Sequence, residues 1–487
     1  MSVYLQGDLR DRLHAAKNSL LKNQVVQRIW DKDHTVWSAE PTEITNRLGW
    51  LQSPEVMFGS IPEIEALVAE VKAAGFTRAL LLGMGGSSLA PEVFHFTFGA
   101  REGFLELAVL DSTDSGAVLN LARKVEPEKT LFIVSTKSGG TVETLSFLKY
   151  FYNHAVDVLG RDKGGVHFAA ITDPGSSLEK MAGELNFRKI FLNDPDIGGR
   201  YSVLSYFGLA PVGLLGMDLR CLLERAKTMA EACRNPVPED NPGAVLGAVI
   251  GELALAGRDK LTLLASPQLR HFGAWVEQLV AESTGKEGKG ILPVDLEEPG
   301  TPEVYGDDRL FVYSKLAGDT SCDGHVAALK AAGHPVVELI LNDLYDLGGE
   351  FFRWQFATAV ACHILGVNPF DQPNVESAKM VARKMVSTYT EKGELPQPQA
   401  TLTTDNLEIY TDVEVDTLQG ALEVFFASAL ADGGPSAARS YVAIQAYLQP
   451  TTATEKALRA LATKIRDKFK LATTIGFGPR FLHSTGQ

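Results

Sequence analysis

Short apolar runs recur at residues 79–82, 106–110, 131–134, 167–171 and 189–192, and each is followed by sequence with the apolar spacing of a helix. Strands that alternate with helices in this way lie parallel, because each crossover helix returns the chain to the same end of the sheet. A doubly wound parallel sheet is therefore expected within residues 55–215. A second α/β pattern starts at 261–264 and continues at 310–313 and 336–341. The proline- and glycine-rich stretch 235–243 reads as a passage between the two. The organisation expected is a helical arm over 1–50, a first α/β domain over 51–234, a second over 235–450, and a C-terminal helix and tail over 451–487. Within that last part, a charged helix over 455–470 precedes a final apolar run at 472–478. No solenoid-period repeat and no low-complexity tract interrupts the pattern.

A chain of 487 residues with 45% hydrophobic residues has material for two or three cores. Its formal charge of −14 argues against broad attraction to nucleic acid or an anionic membrane, so an anionic ligand has to be met by a local cluster of donors. The four cysteines, Cys221, Cys233, Cys322 and Cys362, lack Cys-x-x-Cys spacing and any neighbouring histidine pattern suited to zinc. A reducing compartment and no structural metal are expected. The N-terminal residues lack the basic flank and apolar core of a signal peptide, and apolar stretches break well short of the ~20 residues a membrane span needs. The cytoplasm is the expected location.

Four segments carry chemistry. Gly83-Met84-Gly85-Gly86-Ser87-Ser88-Leu89 follows an apolar run and opens a helical pattern, which is the strand, glycine turn and helix N-terminus arrangement that cradles phosphate. It is neither a dinucleotide fingerprint nor a P-loop, which disfavours a nucleotide ligand. Ser135-Thr136-Lys137-Ser138-Gly139-Gly140-Thr141-Val142-Glu143 repeats the logic with hydroxyls and one lysine. Each has a plainer reading as an ordinary capped helix start, weakened by two such loops following strands of one sheet. Ile197-Gly198-Gly199-Arg200 brings backbone close to a ligand and hands it to an unpaired arginine, a fixed cation for an anion. Gln278 to Lys286 contains Glu282 just past a helix expected over 268–281. A glutamate there is a solvated charge or, in the right company, a general base.

These segments, in this order, resemble the glucose-6-phosphate isomerase family, also called phosphoglucose isomerase. The resemblance continues through 365–373 and Val375-Glu376-Ser377-Ala378-Lys379, and covers roughly residues 30–480. Trp37-Ser38 and the run 43–50 are most similar to the isomerase half of bacterial transaldolase/glucose-6-phosphate isomerase fusions. Tyr206-Phe207 and Asn374 depart from the family's pattern and bear on substrate preference.

The resemblance implies two sugar-isomerase-type (SIS) domains and reversible conversion of glucose 6-phosphate to fructose 6-phosphate through a cis-enediolate, with no cofactor and no metal. It implies Glu282 as the proton shuttle between C2 and C1, Arg200 as the cation beside the enediolate, and His325 with Lys379 for ring opening. Gly86, Ser87, Thr136, Lys137, Ser138 and Thr141 would hold the phosphate, and Gln278 a sugar hydroxyl or only solvent. His325 is assigned by position, with His334 as the alternative. In the family that histidine reaches the site from a neighbouring subunit, so a homodimer with a shared site is expected. A broader isomerase that also accepts mannose 6-phosphate, and a non-catalytic sugar-phosphate sensor, stay open. The sensor has no need of Arg200, Glu282 and Lys379 together.

Overall fold

The computed structural model describes residues 1–430 and 440–486, and for 375–379 and 430 the backbone alone. The chain begins with a short strand, β1 (Ser2–Tyr4), and then builds a five-stranded sheet from β2 (Arg78–Gly83), β3 (Glu106–Leu110), β4 (Thr130–Ser135), β5 (Phe168–Thr172) and β6 (Lys189–Leu192). These lie in the order β3-β2-β4-β5-β6, all parallel. A second sheet contains β7 (Lys260–Ala265), β8 (Leu292–Val294), β9 (Arg309–Leu316) and β10 (Val336–Leu341), in the order β10-β9-β7-β8 and parallel throughout. The expected α/β class with doubly wound parallel sheets is what the chain forms.

Both sheets wind alike. The chain enters at an interior strand, β2 or β7, steps to one side at β3 or β8, and crosses back to the other side at β4 or β9. The loops leaving the carboxyl ends of β2 and β4, and of β7 and β9, therefore diverge and open a crevice at each switch point.

Period-two alternation assigns the strand side chains to different cores. Ala79 and Leu81 of β2 face a core shared with the second sheet, whereas Leu80 and Leu82 face a separate one with Phe147, Leu148 and Phe151 of helix Val142–Leu159. Leu310 and Val312 of β9 likewise face the shared core, and Phe311 and Tyr313 face away from it. With both faces covered, every position is apolar, which is why these strands read as unbroken runs. The shared core is filled by helices Pro242–Leu255 and Leu347–Leu365, the latter buried along almost its whole length. Gly243, Gly247 and Gly251, one turn apart, face Phe356, Val360 and Ile364 and let the two helices pack closely. Trp354 of the second helix is fully buried, and its replacement by alanine is worth about 3–5 kcal/mol.

Several elements differ from expectation. The N-terminal arm does form helices Asp8–Lys22 and Val25–Trp30, but β1 before them pairs antiparallel with β10, with Val3 opposite Val337. Strand β8 was not expected. The stretch 235–243 is a built corner: buried Asn241 caps helix Pro242–Leu255, its side chain accepting from the Ala244 amide at 2.8 Å. Towards the C-terminus, β11 (Leu402–Thr403) and β12 (Glu408–Ile409) form a short hairpin, and β13 (Tyr441–Ala446) pairs parallel with β14 (Ala472–Phe477) across helix Thr452–Phe469. Among the described residues no helix is long and apolar enough to cross a membrane.

Candidate active site

At the switch point of the first sheet, Gly83 at the end of β2 lies opposite Ser135 at the end of β4, so both loops start at one level. The first passes through a 3-10 turn, Gly85–Ser87, into helix Leu89–Phe98; the second runs over 136–141 into helix Val142–Leu159. Ser135 Oγ donates to the Ser87 carbonyl at 3.1 Å and ties them together. In the second loop the Thr136 and Thr141 hydroxyls are 3.1 Å apart, and the Gly140 amide donates to Ser138 Oγ at 3.2 Å. The first amides of each helix have no partner within the helix, so the loops present N–H donors and the positive end of the helix dipole to an anion.

Gly86 explains how the arginine is brought here. A Cβ on Gly86 would lie 2.0 Å from the Gly199 carbonyl oxygen, so only glycine lets the first loop rest on the 3-10 turn Gly199–Tyr201. Arg200 leaves that turn into a nearly closed position, 4% exposed. Its guanidinium is 2.9 Å from Glu282 Oε1, and it donates to Ser283 Oγ at 2.9 Å and to the carbonyls of Pro369 and Asp371 at 2.7 and 3.0 Å. The arginine expected to be unpaired is thus fully engaged, and Glu282 is its charge partner. Removing one member of such a pair leaves an uncompensated buried charge, a cost of about 3–5 kcal/mol.

Glu282 sits inside helix Phe272–Thr284, not beyond its end, because the helix runs a turn further than the apolar pattern suggests. Gln278, one turn earlier, is also buried. Its amide donates to Glu282 Oε2 at 3.1 Å and to the His483 carbonyl at 2.9 Å, so it orients the carboxylate rather than meeting solvent. Just past the helix, Lys286 donates to Asp371 Oδ1 at 2.6 Å; burial lowers its pKa, and the Arg200 charge lowers it further.

Of the remaining expected residues, Lys137 is bonded to Asp173 and to the Pro195 carbonyl, 2.8 Å away, so its charge is already shared. His325 lies in helix Asp323–Ala331 with its ring centroid 6.2 Å from that of Tyr305. Burial lowers its pKa, with the Arg466 charge adding to the effect. None of its contacts among the described residues joins it to Arg200 or Glu282, so within one chain it stands apart from them. His334, in contact with Tyr305 and Phe311, is equally separate. The Lys379 side chain lies outside the described residues.

Sequence reasoning missed two groups. His483 Nε2 is 3.1 Å from Glu143 Oε1, and that hydrogen bond is the chief reason the Glu143 pKa is lowered. Glu143 was legible as a carboxylate two residues past Thr141. Nothing local marks His483, which comes to Gln278 from 205 residues away.

A family model described as "Phosphoglucose isomerase" matches residues 70–300, a span that holds both loops, Arg200, Gln278 and Glu282 and ends before His325. A glucose-6-phosphate isomerase of Carboxydothermus hydrogenoformans is 34% identical over 392 residues, 68% of this chain and 83% of the relative. One of Rubrobacter xylanophilus is 30% identical over 365 residues, 64% of this chain and 84% of the relative. Among solved structures, a hypothetical protein of Thermus thermophilus superposes with a TM-score of 0.69 at 25% identity, over 79% of this chain and 99% of that one. A glucose-6-phosphate isomerase from Chlamydia trachomatis has the same fold, with a TM-score of 0.65 at 19% identity over 78% of this chain and 86% of its own.

Proposed function

Because this chain belongs to the phosphoglucose isomerase family, we propose that it interconverts glucose 6-phosphate and fructose 6-phosphate by moving a proton between C2 and C1 through a cis-enediolate. The observation that carries the reading is the desolvated Arg200–Glu282 pair, 2.9 Å apart, beside two anion-cradling loops. The sugar's phosphate occupies the loops, held by the Gly86 and Ser87 backbone, the hydroxyls of Ser87, Thr136, Ser138 and Thr141, and the shared charge of Lys137. Binding energy from that remote group orients C1 and C2 at Glu282.

Glu282 removes the C2 proton and returns it to C1. As it takes the proton, negative charge passes from its carboxylate to the substrate oxygen. Arg200 stands beside both positions and so faces an anion throughout, which is electrostatic stabilisation without reorganisation. Gln278 keeps the carboxylate aimed. Ring opening, the step assigned to His325 and Lys379 by resemblance, calls for a further acid–base group. All these steps are proton transfers and charge stabilisation, so the reading requires no metal and no organic cofactor. The proposed location is the cytoplasm, which the four free cysteines support. The proposed assembly is a homodimer, to be checked by solution mass.

A coupled assay of fructose 6-phosphate conversion in chelator-treated buffer tests the reading, with Glu282→Gln alongside. Wild-type turnover and a loss of at least ~10²-fold in kcat for the variant are expected. A wild-type protein that converts neither sugar phosphate would overturn it.

A further inference from the structure

We infer that His483, held by Glu143, is the group that opens the sugar ring, and that it does so in its own subunit. The inference rests on the isomerase reading above. His483 Nε2 lies 3.1 Å from Glu143 Oε1, and the His483 carbonyl accepts from Gln278 Nε2 at 2.9 Å. A Cβ on Gly85 would lie 3.1 Å from His483 Cβ and 2.9 Å from Gln278 Nε2, so the histidine rests directly on the first loop. Glu143 belongs to the first turn of the helix behind the second loop, and Gln278 is one turn from Glu282. The imidazole therefore stands between the phosphate loops and the proton shuttle.

A hexose 6-phosphate places its ring oxygen in that interval. O5 joins C1, which has to reach Glu282, to C5, which is one carbon from the phosphorylated C6. The segment is fixed there independently of the imidazole: Arg480 pairs with Glu92 and lies 3.1 Å from Asp111 Oδ2, and Ser484 Oγ donates to Glu277 Oε1 at 3.3 Å.

The step balances on one side chain. The C1–O5 bond breaks, its electron pair goes to O5, and O5 takes the proton from Nδ1 of the imidazolium. The anomeric hydroxyl loses its proton to the same Nδ1 as the C1=O1 bond forms, which restores the imidazolium. Nε2–H stays on Glu143 throughout and fixes the tautomer, as a carboxylate does for an acid–base histidine.

His483→Asn tests this, because it keeps the backbone carbonyl that holds Gln278. Two rates are compared: conversion of glucose 6-phosphate, and solvent deuterium exchange at C2 of an aldose 6-phosphate lacking the 4- and 5-hydroxyls, which cannot close a ring. The first is expected to fall at least ~10²-fold, while the second stays near wild type. Glu143→Gln should show a smaller loss confined to the same step, and it carries the comparison if His483→Asn does not fold. Equal loss of both rates would make His483 merely structural, and full conversion of the cyclic sugar would remove it from the reaction. Activity recovered on mixing His483→Asn with Glu282→Gln subunits would move ring opening across an interface and overturn the assignment. A wild-type protein inert towards both compounds would defeat the isomerase reading itself.

Discussion

The two sheets wind identically, yet their switch points have opposite chemistry. In the first, Ser135 ties its neighbour loop through the Ser87 carbonyl at 3.1 Å, and glycines, hydroxyls and two helix N-termini face the crevice. In the second, Ser266 makes the corresponding tie, accepting from the Leu316 amide at 3.0 Å, but Pro267 follows and removes an N–H donor. The cavity there, about 300 Å³, is lined by Asp295, Glu297 and Glu298, and Glu297 takes up Arg309 through two bonds of 3.0 Å. A phosphate would meet carboxylates at the second crevice and donors at the first. The shared topology offers two binding crevices, and the side chains leave one suited to an anion. The second sheet's contribution is the helix after β7, which carries Gln278 and Glu282 to the first sheet's loops.

The largest effect should come from cutting the bond between the halves. Arg200→Met strands Glu282 among groups that already exclude water, so denaturant unfolding should show a loss of about 3–5 kcal/mol. Its kcat should fall by ~10²–10³, the range for removing one preorganised charge-stabilising donor. A variant of unchanged stability would mean that the pair does not join the two units.

Gly86→Ala comes next. Its Cβ would meet the Gly199 carbonyl at 2.0 Å, so the first loop has to lift off the arginine turn. Overpacking of this kind costs about 1–3 kcal/mol, and KM for the sugar phosphate should rise with it. An alanine variant with wild-type KM would show that the loop is not seated where the phosphate binds.

How much of this was legible follows from which forces were local. The run at 131–134 announced β4 because both faces of that strand are covered, and the glycine loops declared themselves through residue types that sterics demand. Arg200 was visible for the same reason, but its partner was not: the pair forms across 82 residues, through packing of one unit on the other. β8 was invisible because three residues with a central proline carry no periodicity. β1 was invisible because its meaning lies in β10, more than 300 residues away. His483 is the sharpest case, since a histidine in a short 3-10 turn acquires a role only when the C-terminal segment folds back onto Gly85 and Glu143.

The smallest effect sharpens the acidic side of the comparison. Desolvation pushes Glu277 up to about 8, with Asp295 adding, and pushes Asp295 up to about 7. The folded chain therefore holds protons that the unfolded chain releases from about pH 4 upward. The stability these groups contribute is complete below that range and is lost as pH rises through 7 to 8. Unfolding free energy should decline with rising pH in that window, and Glu277→Gln should flatten the decline. An unchanged slope in the variant would show that Glu277 is ionised in the fold.

Affinity for an inert sugar-acid phosphate, measured by titration on two variants side by side, tests the division of labour most directly. Glu282→Gln removes chemistry and leaves the loops, whereas Ser87→Ala with Thr141→Val removes donors and leaves the chemistry. Hydroxyl donors to a charged oxygen contribute roughly 1.5–3 kcal/mol each, so the loop variant should bind at least ~10-fold more weakly. Glu282→Gln should bind nearly as well as wild type. Equal weakening of both, or weakening by Glu282→Gln alone, would contradict a site in which the first sheet holds the phosphate and the second supplies the proton shuttle.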